Sequence, residues 1–206
     1  MSSKCNSLRS QGKSLAAALC ALLLVSGCDS SGAGGSAPPL EGAAIGGPFT
    51  LTNSAGDTVR WSDFDGRYRM VYFGYAYCPD VCPLDVQRMM QGYRQFAADE
   101  PDLASEVQPI FVTIDPERDT PAVVGEFTAN FGEELMGLTG TPEQIAGAAQ
   151  AFSVYYQKGE ASDGGGYLMD HSRAAFLMGR EGQPIALLPV EASGADVAAE
   201  LEKWVS

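Results

Sequence analysis

The chain contains one histidine, His171, in 206 residues, so any chemistry that needs an imidazole must use it. Positive charge is scarce too: 13 Lys and Arg stand against 26 Asp and Glu, a formal net charge of -13. Three of the 13 basic residues (Lys4, Arg9, Lys13) precede Cys28 and all 26 acidic ones follow it. Loss of that opening segment would leave ten basic against 26 acidic residues, a net charge of -16. Nucleic acid is excluded as a partner on this ground, because binding it requires Lys and Arg to neutralise phosphates. No repeat of solenoid period is present. The opening apolar stretch, Leu15 to Val25, falls well short of the ~20 residues that cross a bilayer. Cysteine is sparse where it matters: of five, Cys5 and Cys20 lie in the opening segment and Cys28 at its end, leaving Cys78 and Cys82 in the remainder. A hydrophobic content of 45% suits one globular domain plus a non-folding extension.

Residues 1–27 combine a basic start, a short apolar stretch and the small pair Ser26-Gly27 before Cys28, the pattern of a signal peptide. Val25-Ser26-Gly27-Cys28 resembles the lipobox of bacterial lipoproteins, in which the cysteine is lipidated and becomes the new N-terminus. The resemblance implies an anchor at Cys28 in the bacterial cell membrane and a domain on the periplasmic side. Asp29 resembles the signal that retains enterobacterial lipoproteins in the inner membrane. An ordinary secretory leader with an incidental cysteine is the alternative. Residues 28–45 read as a flexible tether, since Ser30 to Pro39 has no apolar side chain larger than alanine or proline and cannot offset the entropy of folding. Residues 46–206 have the composition of a packed domain.

Within that domain, Phe49–Asn53 and Thr58–Trp61 predict a hairpin around Ala55-Gly56-Asp57. Tyr68–Tyr75 and Val107–Ile114 are buried strands by their aromatic and β-branched content. Helices are expected after Pro83, from Thr120-Pro121 to about Phe131, from Thr141-Pro142 to Phe152, and from Ser193 to Val205; the Thr-Pro pairs supply an N-cap followed by proline at the first helical position. Met136–Leu138, Tyr155–Lys158, Ala174–Met178 and Ile185–Pro189 complete the strands, with turns at Gly164-Gly165-Gly166 and Gly179–Gly182. Strands alternating with helices argue for a parallel sheet covered on both faces. A βαβ half followed by a β-hairpin and a helix is the thioredoxin arrangement. The reading is therefore an α/β, thioredoxin-like fold with an N-terminal β-hairpin extension and a β-hairpin insertion near the C-terminal part.

The chemistry centres on YRMVYFGYAYCPDVCPLDVQ, Tyr68 to Gln87, where an apolar strand ends on two cysteines four positions apart and a helix begins. A helix N-terminus favours thiolate over thiol, which would make both sulfurs better nucleophiles and better metal ligands. Three readings stand: a structural disulfide, a redox pair with three rather than the usual two intervening residues, and a metal site. Two thiolates and one imidazole are too few for a closed four-coordinate zinc site without a carboxylate, whereas thiolates select copper(I) and imidazole suits copper as well. Asp80 and Asp170 are either solvated carboxylates or groups that orient ligands or a partner. Met169 is the one methionine to test as an auxiliary soft ligand. The Asp115–Thr120 carboxylates are expected to cap the strand and the next helix, without chemistry. Tyr72, Tyr75 and Tyr77 are expected to pack.

YFGYAYCPDVCP, VTIDPERDTP (Val112 to Pro121) and YLMDHS (Tyr167 to Ser172) together resemble the Sco/SenC family of copper chaperones in sequence, order and spacing, over about Pro48 to Trp204. The resemblance implies a thioredoxin-like fold, copper as Cu(I) or Cu(II) held by Cys78, Cys82 and His171, and delivery to the binuclear copper site of cytochrome c oxidase. Its implied partners are the oxidase subunit carrying that site, an upstream copper donor, a thiol reductant, and the membrane through the anchor. Two alternatives use the same cysteines: a thiol-disulfide oxidoreductase that reduces the cysteines of the oxidase site, with Cys78 and Cys82 as its redox pair, and a copper or redox sensor.

Overall fold

The computed structural model describes residues 37–161 and 166–206. Cys28, the signal segment, most of the tether and the expected turn at Gly164 and Gly165 lie outside the described residues.

The expected first hairpin pairs β1 (Thr50–Asn53) with β2 (Thr58–Arg60). Asn53 closes its turn: its side-chain oxygen accepts the N–H groups of Ala55 and Asp57 at 3.0 and 2.9 Å, and Gly56 supplies the positive φ. After a short 3-10 turn at Trp61–Phe64 comes β3 (Tyr68–Gly74), buried at every position because it lies inside the sheet with both faces covered. Helix α1 (Val81–Asp99) buries Cys82, Asp85, Val86, Met89, Met90, Tyr93 and Phe96, one stripe at helical period. A four-residue helix α2 (Pro101–Ala104) follows, which the sequence pattern does not signal. Then come β4 (Val107–Thr113), α3 (Pro121–Ala129), β5 (Met136–Thr139) and α4 (Pro142–Ala151). Both Thr-Pro starts behave as expected: Thr120 accepts from the Val123 N–H, and Thr141 and Gln144 cap each other reciprocally. Strands β6 (Tyr156–Lys158) and β7 (Met169–His171) form a separate two-stranded sheet. The chain ends with β8 (Ala175–Met178), β9 (Pro184–Leu188) and α5 (Gly194–Trp204).

The main sheet has the order β2-β1-β5-β4-β3-β8-β9. Only β3, β4 and β5 are mutually parallel; β1, β2, β8 and β9 add antiparallel pairs. The expectation of a parallel sheet is thus corrected to a mixed one. The β1–β2 and β8–β9 connections are too short for a crossover and force antiparallel pairing, while hydrophobic period carries no information about strand direction. The arrangement is the thioredoxin-like α/β fold, with β1–β2 as the N-terminal extension and β6–β7 as the insertion. The compact unit begins at Ala37, earlier than Gly46. The Leu40 N–H bonds the Ile185 carbonyl at 3.0 Å, the Gly46 N–H bonds the Ala151 carbonyl at 2.8 Å, and Ile45 packs on the core. No helix among the described residues is long and apolar enough to cross a membrane.

Helices α1 and α5 meet at Gly92, where an added Cβ would lie 2.5 Å from two carbons of Val197 and 2.7 Å from the Gly194 carbonyl. Backbone and a stiff β-branched neighbour cannot yield there. Gly92→Ala is therefore expected to destabilise the domain by about 1–3 kcal/mol, despite the better helix propensity of alanine. Gly147→Ala, on the exposed face of α4 with nothing within 4 Å, should instead stabilise it by up to about 1 kcal/mol. Thermal unfolding followed by circular dichroism checks both, and equal signs for the two variants would refute the packing argument.

Candidate functional site

The loop between β3 and α1 presents Cys78 at the helix start. Asp80 occupies the N-cap position without a side-chain cap bond; the Cys82 N–H instead donates to the Cys78 sulfur at 3.4 Å. Pro83 sits in the first turn, where its missing N–H costs nothing. Both cysteines are free, but their surroundings differ: Cys78 is 9% exposed at the rim and Cys82 is fully buried. The end of β3 leaves room for that sulfur, since a Cβ on Gly74 would lie 3.3 Å from Cys82 Sγ, 2.9 Å from the Tyr72 ring and 3.1 Å from that of Phe111.

His171 arrives from the other side of the sequence, at the end of β7. Its Nε2 lies 3.1 Å from Cys82 Sγ, and its Nδ1 lies 2.8 Å from the Ser172 carbonyl. A carbonyl can only accept, so Nδ1 carries the proton and Nε2 turns a free lone pair to the sulfur. The imidazole meets the rings of Tyr72 and Tyr75 edge to face, with centroids 6.3 and 6.0 Å away. Reciprocal bonds between Tyr155 and Ser172 (3.1 and 2.9 Å) hold the hairpin closed beside it. The sequence reading missed β7, because three residues with an exposed Asp170 at the centre make no apolar run.

The two thiols are electrostatically unequal. A hydrogen bond from Cys82 is the main cause that draws Cys78 down to about 3, helped against burial by the N–H groups of Asp80 and Cys82. Cys82 is pushed up, first by its bond to Cys78 and then by burial. The expectation that the helix end favours thiolate at both positions is corrected: one thiolate forms at the rim, and placing a second charge beside it in the core is opposed by both repulsion and desolvation. Tyr72 is pushed up, mainly by burial and next by Cys82, and Tyr75 is pushed up to about 12, mainly by burial.

Three polar groups brace this cluster. Asp85, fully buried one turn beyond Cys82, accepts the Tyr72 hydroxyl at 3.0 Å and a two-pronged contact from Arg173 at 2.9 and 2.7 Å. Asp119, also fully buried, accepts from the Thr113 hydroxyl at 2.6 Å and from the Ala76 N–H at 2.8 Å, two residues before Cys78. Asp115 binds Arg118 at 2.5 Å and the Tyr167 hydroxyl at 2.8 Å. The carboxylates expected to cap do not make the α3 cap bond, which Thr120 supplies; Asp115 and Asp119 instead tie the hairpin and the cysteine loop to the end of β4. The sequence reading missed this bracing. Its one legible signal was Asp85, a charge at an apolar position of the α1 stripe. Tyr72 and Tyr75 pack as expected, but Tyr77 is 54% exposed, with the Arg118 guanidinium 5.2 Å from its ring centre. Asp80 and Asp170 are exposed. Met169 is buried and lines a cavity with Ile114, Pro116 and Tyr156.

Among the described residues, no group of three or more His, Cys, Asp or Glu side chains stands spaced as a metal cage. The Cys82–His171 separation of 3.1 Å is that of a hydrogen bond. Sulfur and nitrogen ligands lying about 2.3 and 2.0 Å from one metal sit about 3.5 Å apart at a tetrahedral angle and about 3.7 Å apart in a trigonal arrangement, so the two side chains must part by about half an ångström to admit an ion.

The SCO1/SenC family model matches residues 37–206. Among curated relatives, the mitochondrial SCO2 homolog of Bos taurus is 41% identical over 144 residues, which cover 69% of this chain and 53% of the relative. Protein SenC of Rhodobacter capsulatus is 43% identical over 136 residues, covering 66% and 59% respectively. The chain spans about half the length of the curated relatives it matches. Among solved structures, Bradyrhizobium japonicum ScoI with copper bound superposes with a TM-score of 0.70 at 36% identity, covering 78% of this chain and 99% of that one. Yeast Sco1 with copper bound gives 0.71 at 30% identity, covering 78% and 88%. On the match of the family model across the whole described domain, this chain belongs to the SCO1/SenC family.

Proposed function

We propose that this protein is a copper chaperone that binds Cu(I) through the sulfurs of Cys78 and Cys82 and through His171 Nε2, and delivers it to the binuclear copper site of cytochrome c oxidase. The observation that carries this reading is the approach of the bare Nε2 to Cys82 Sγ at 3.1 Å, with the Cys78 sulfur on the N–H of the same cysteine. Soft thiolates select Cu(I), and one neutral imidazole completes a three-coordinate donor set of charge -2, so the site with Cu(I) bound carries -1. The Nδ1 bond to the Ser172 carbonyl fixes the ring in the tautomer that a metal requires. Low coordination lets an acceptor's ligand enter before one of the chaperone's leaves. The relatives solved with copper bound support the choice of metal. Cys28 is the proposed lipid anchor, with the domain on the periplasmic side of the bacterial membrane.

A second reading, a thiol-disulfide oxidoreductase that reduces the acceptor's cysteines, is favoured by the asymmetry of the pair. Cys78 is a thiolate at the rim and Cys82 a buried thiol, the division of labour between an attacking and a resolving sulfur.

Reduced protein is expected to bind one Cu(I) per chain and to lose tight binding when Cys78 and Cys82 are oxidised to a disulfide, as read by copper content after desalting. His171→Ala should keep Cu(I) on two sulfurs and lose the Cu(II) form, which prefers nitrogen, and oxidase assembly should then fail at limiting copper and recover in part on copper addition. Normal assembly in that strain at low copper, alongside loss in Cys78→Ser, would favour the reductase instead. The thiols themselves are tested by alkylation. Because the Cys78 pKa is depressed, its thiolate is present throughout the range above it, so its labelling rate should stay nearly flat from about pH 8 to about pH 5, where an ordinary thiol slows about tenfold per pH unit. Modification of Cys82 first, or an ordinary slope, would contradict the assignment. Metabolic labelling with fatty acid should mark the wild-type chain and vanish in Cys28→Ala; label persisting in that variant would remove the anchor.

A further inference from the structure

The carboxylate of Asp85 has an unusual address. It lies on the buried stripe of α1, three residues after Cys82, and is fully enclosed. A lone carboxylate there would carry a large desolvation cost, and what it meets is the fork of Arg173: Nε to Oδ2 at 2.9 Å and Nη2 to Oδ1 at 2.7 Å. The Tyr72 hydroxyl supplies a third bond at 3.0 Å. Arg173 stands two residues beyond His171, in the connection from β7 to β8. One carboxylate therefore ties the helix that bears Cys82 to the segment that bears His171, and to the strand whose Tyr72 ring meets the imidazole edge.

This tie matters because the β6–β7 sheet has only two strands of three residues each, and a two-stranded hairpin is marginal without support. Its far end is held by Lys158 on Glu117 (2.6 Å) and by Arg118 on the Tyr167 carbonyl (2.9 Å). Its histidine end is closed by the reciprocal Tyr155–Ser172 bonds and tied to α1 by Arg173. A two-pronged guanidinium–carboxylate contact fixes direction as well as distance, which a single-point contact cannot do.

We propose that Asp85 and Arg173 are positioning residues: their ion pair sets the His171 imidazole against Cys82, so the third donor of the proposed copper site is aimed by two residues that are not donors themselves. The inference rests on the copper reading for its functional meaning but not for its geometry, and the test separates the two. His171 is the sole histidine, so long-range proton–nitrogen NMR of the full chain, reduced and without copper, reports one ring. Wild type should show a fixed Nδ1–H tautomer with ring shifts displaced by Tyr72 and Tyr75. Asp85→Asn combined with Arg173→Gln leaves no buried charge unpaired; it should keep the dispersed amide spectrum while the His171 ring moves toward free-histidine shifts and averaged tautomers. Arg173→Lys, which keeps the charge but loses the fork, should fall between. With Cu(II) added, the double variant should lose affinity about 10- to 100-fold, as outer partners of a metal-binding histidine do, with Cu(I) affinity nearly retained. A wild-type ring spectrum in both variants would overturn the proposal. A displaced ring, with His171→Ala leaving copper binding unchanged, would uphold the positioning role and reject the copper reading instead.

Discussion

A hydrogen-bond contact of 3.1 Å joins a sulfur and a nitrogen 89 positions apart in the chain, and several separate features exist in the form they do because of it. The sulfur must be at the start of a helix, so Cys82 takes the second position of α1 and Cys78 caps it. The nitrogen must present a lone pair, so the opposite ring nitrogen is committed to a carbonyl. The two elements must not drift, so Asp85, Asp115 and Asp119 each bridge from a rigid part of the sheet or helix to a loop or hairpin of the site. Interactions of this kind add little net stability when their desolvation is counted. Their value here is in fixing geometry.

Much of the frame was legible in the sequence because local rules govern it. Strands β3 and β4 are largely apolar runs, broken near their starts by Arg69 and Gln108, α1 has a clear helical stripe, and Thr120-Pro121 and Thr141-Pro142 mark helix starts by a mechanism that needs no tertiary partner. What was not legible depends on distant partners. The antiparallel additions to the sheet leave the hydrophobic period unchanged. β7 is invisible because its one paired strand, β6, lies outside the main sheet, and an exposed Asp170 interrupts its apolar character. The inequality of the two thiols follows from burial of Cys82, and spacing along the chain is the same for both. The family resemblance implied Cys78, Cys82 and His171 but not Asp85 and Arg173, whose partnership spans 88 positions. Tyr77 follows the core tyrosine Tyr75 by two positions, the spacing of one strand face, yet stands in solvent, because the strand has already ended at Gly74.

The enclosure of Cys82 also bears on chemical damage. Sulfur oxidised to a sulfenic acid, and onward to the irreversible acids, must gain oxygen atoms, each needing space and access. Around Cys82 there is neither: the residue is fully buried, and the glycine at the end of β3 is all that leaves room for the bare sulfur. Oxidant therefore reaches Cys78 at the rim. A sulfenic acid formed there lies beside a protected thiol that can condense with it, releasing water and closing a disulfide that a reductant can reopen. Packing that seats one sulfur deep in the core thus gives the one nearer the surface a short route away from irreversible oxidation.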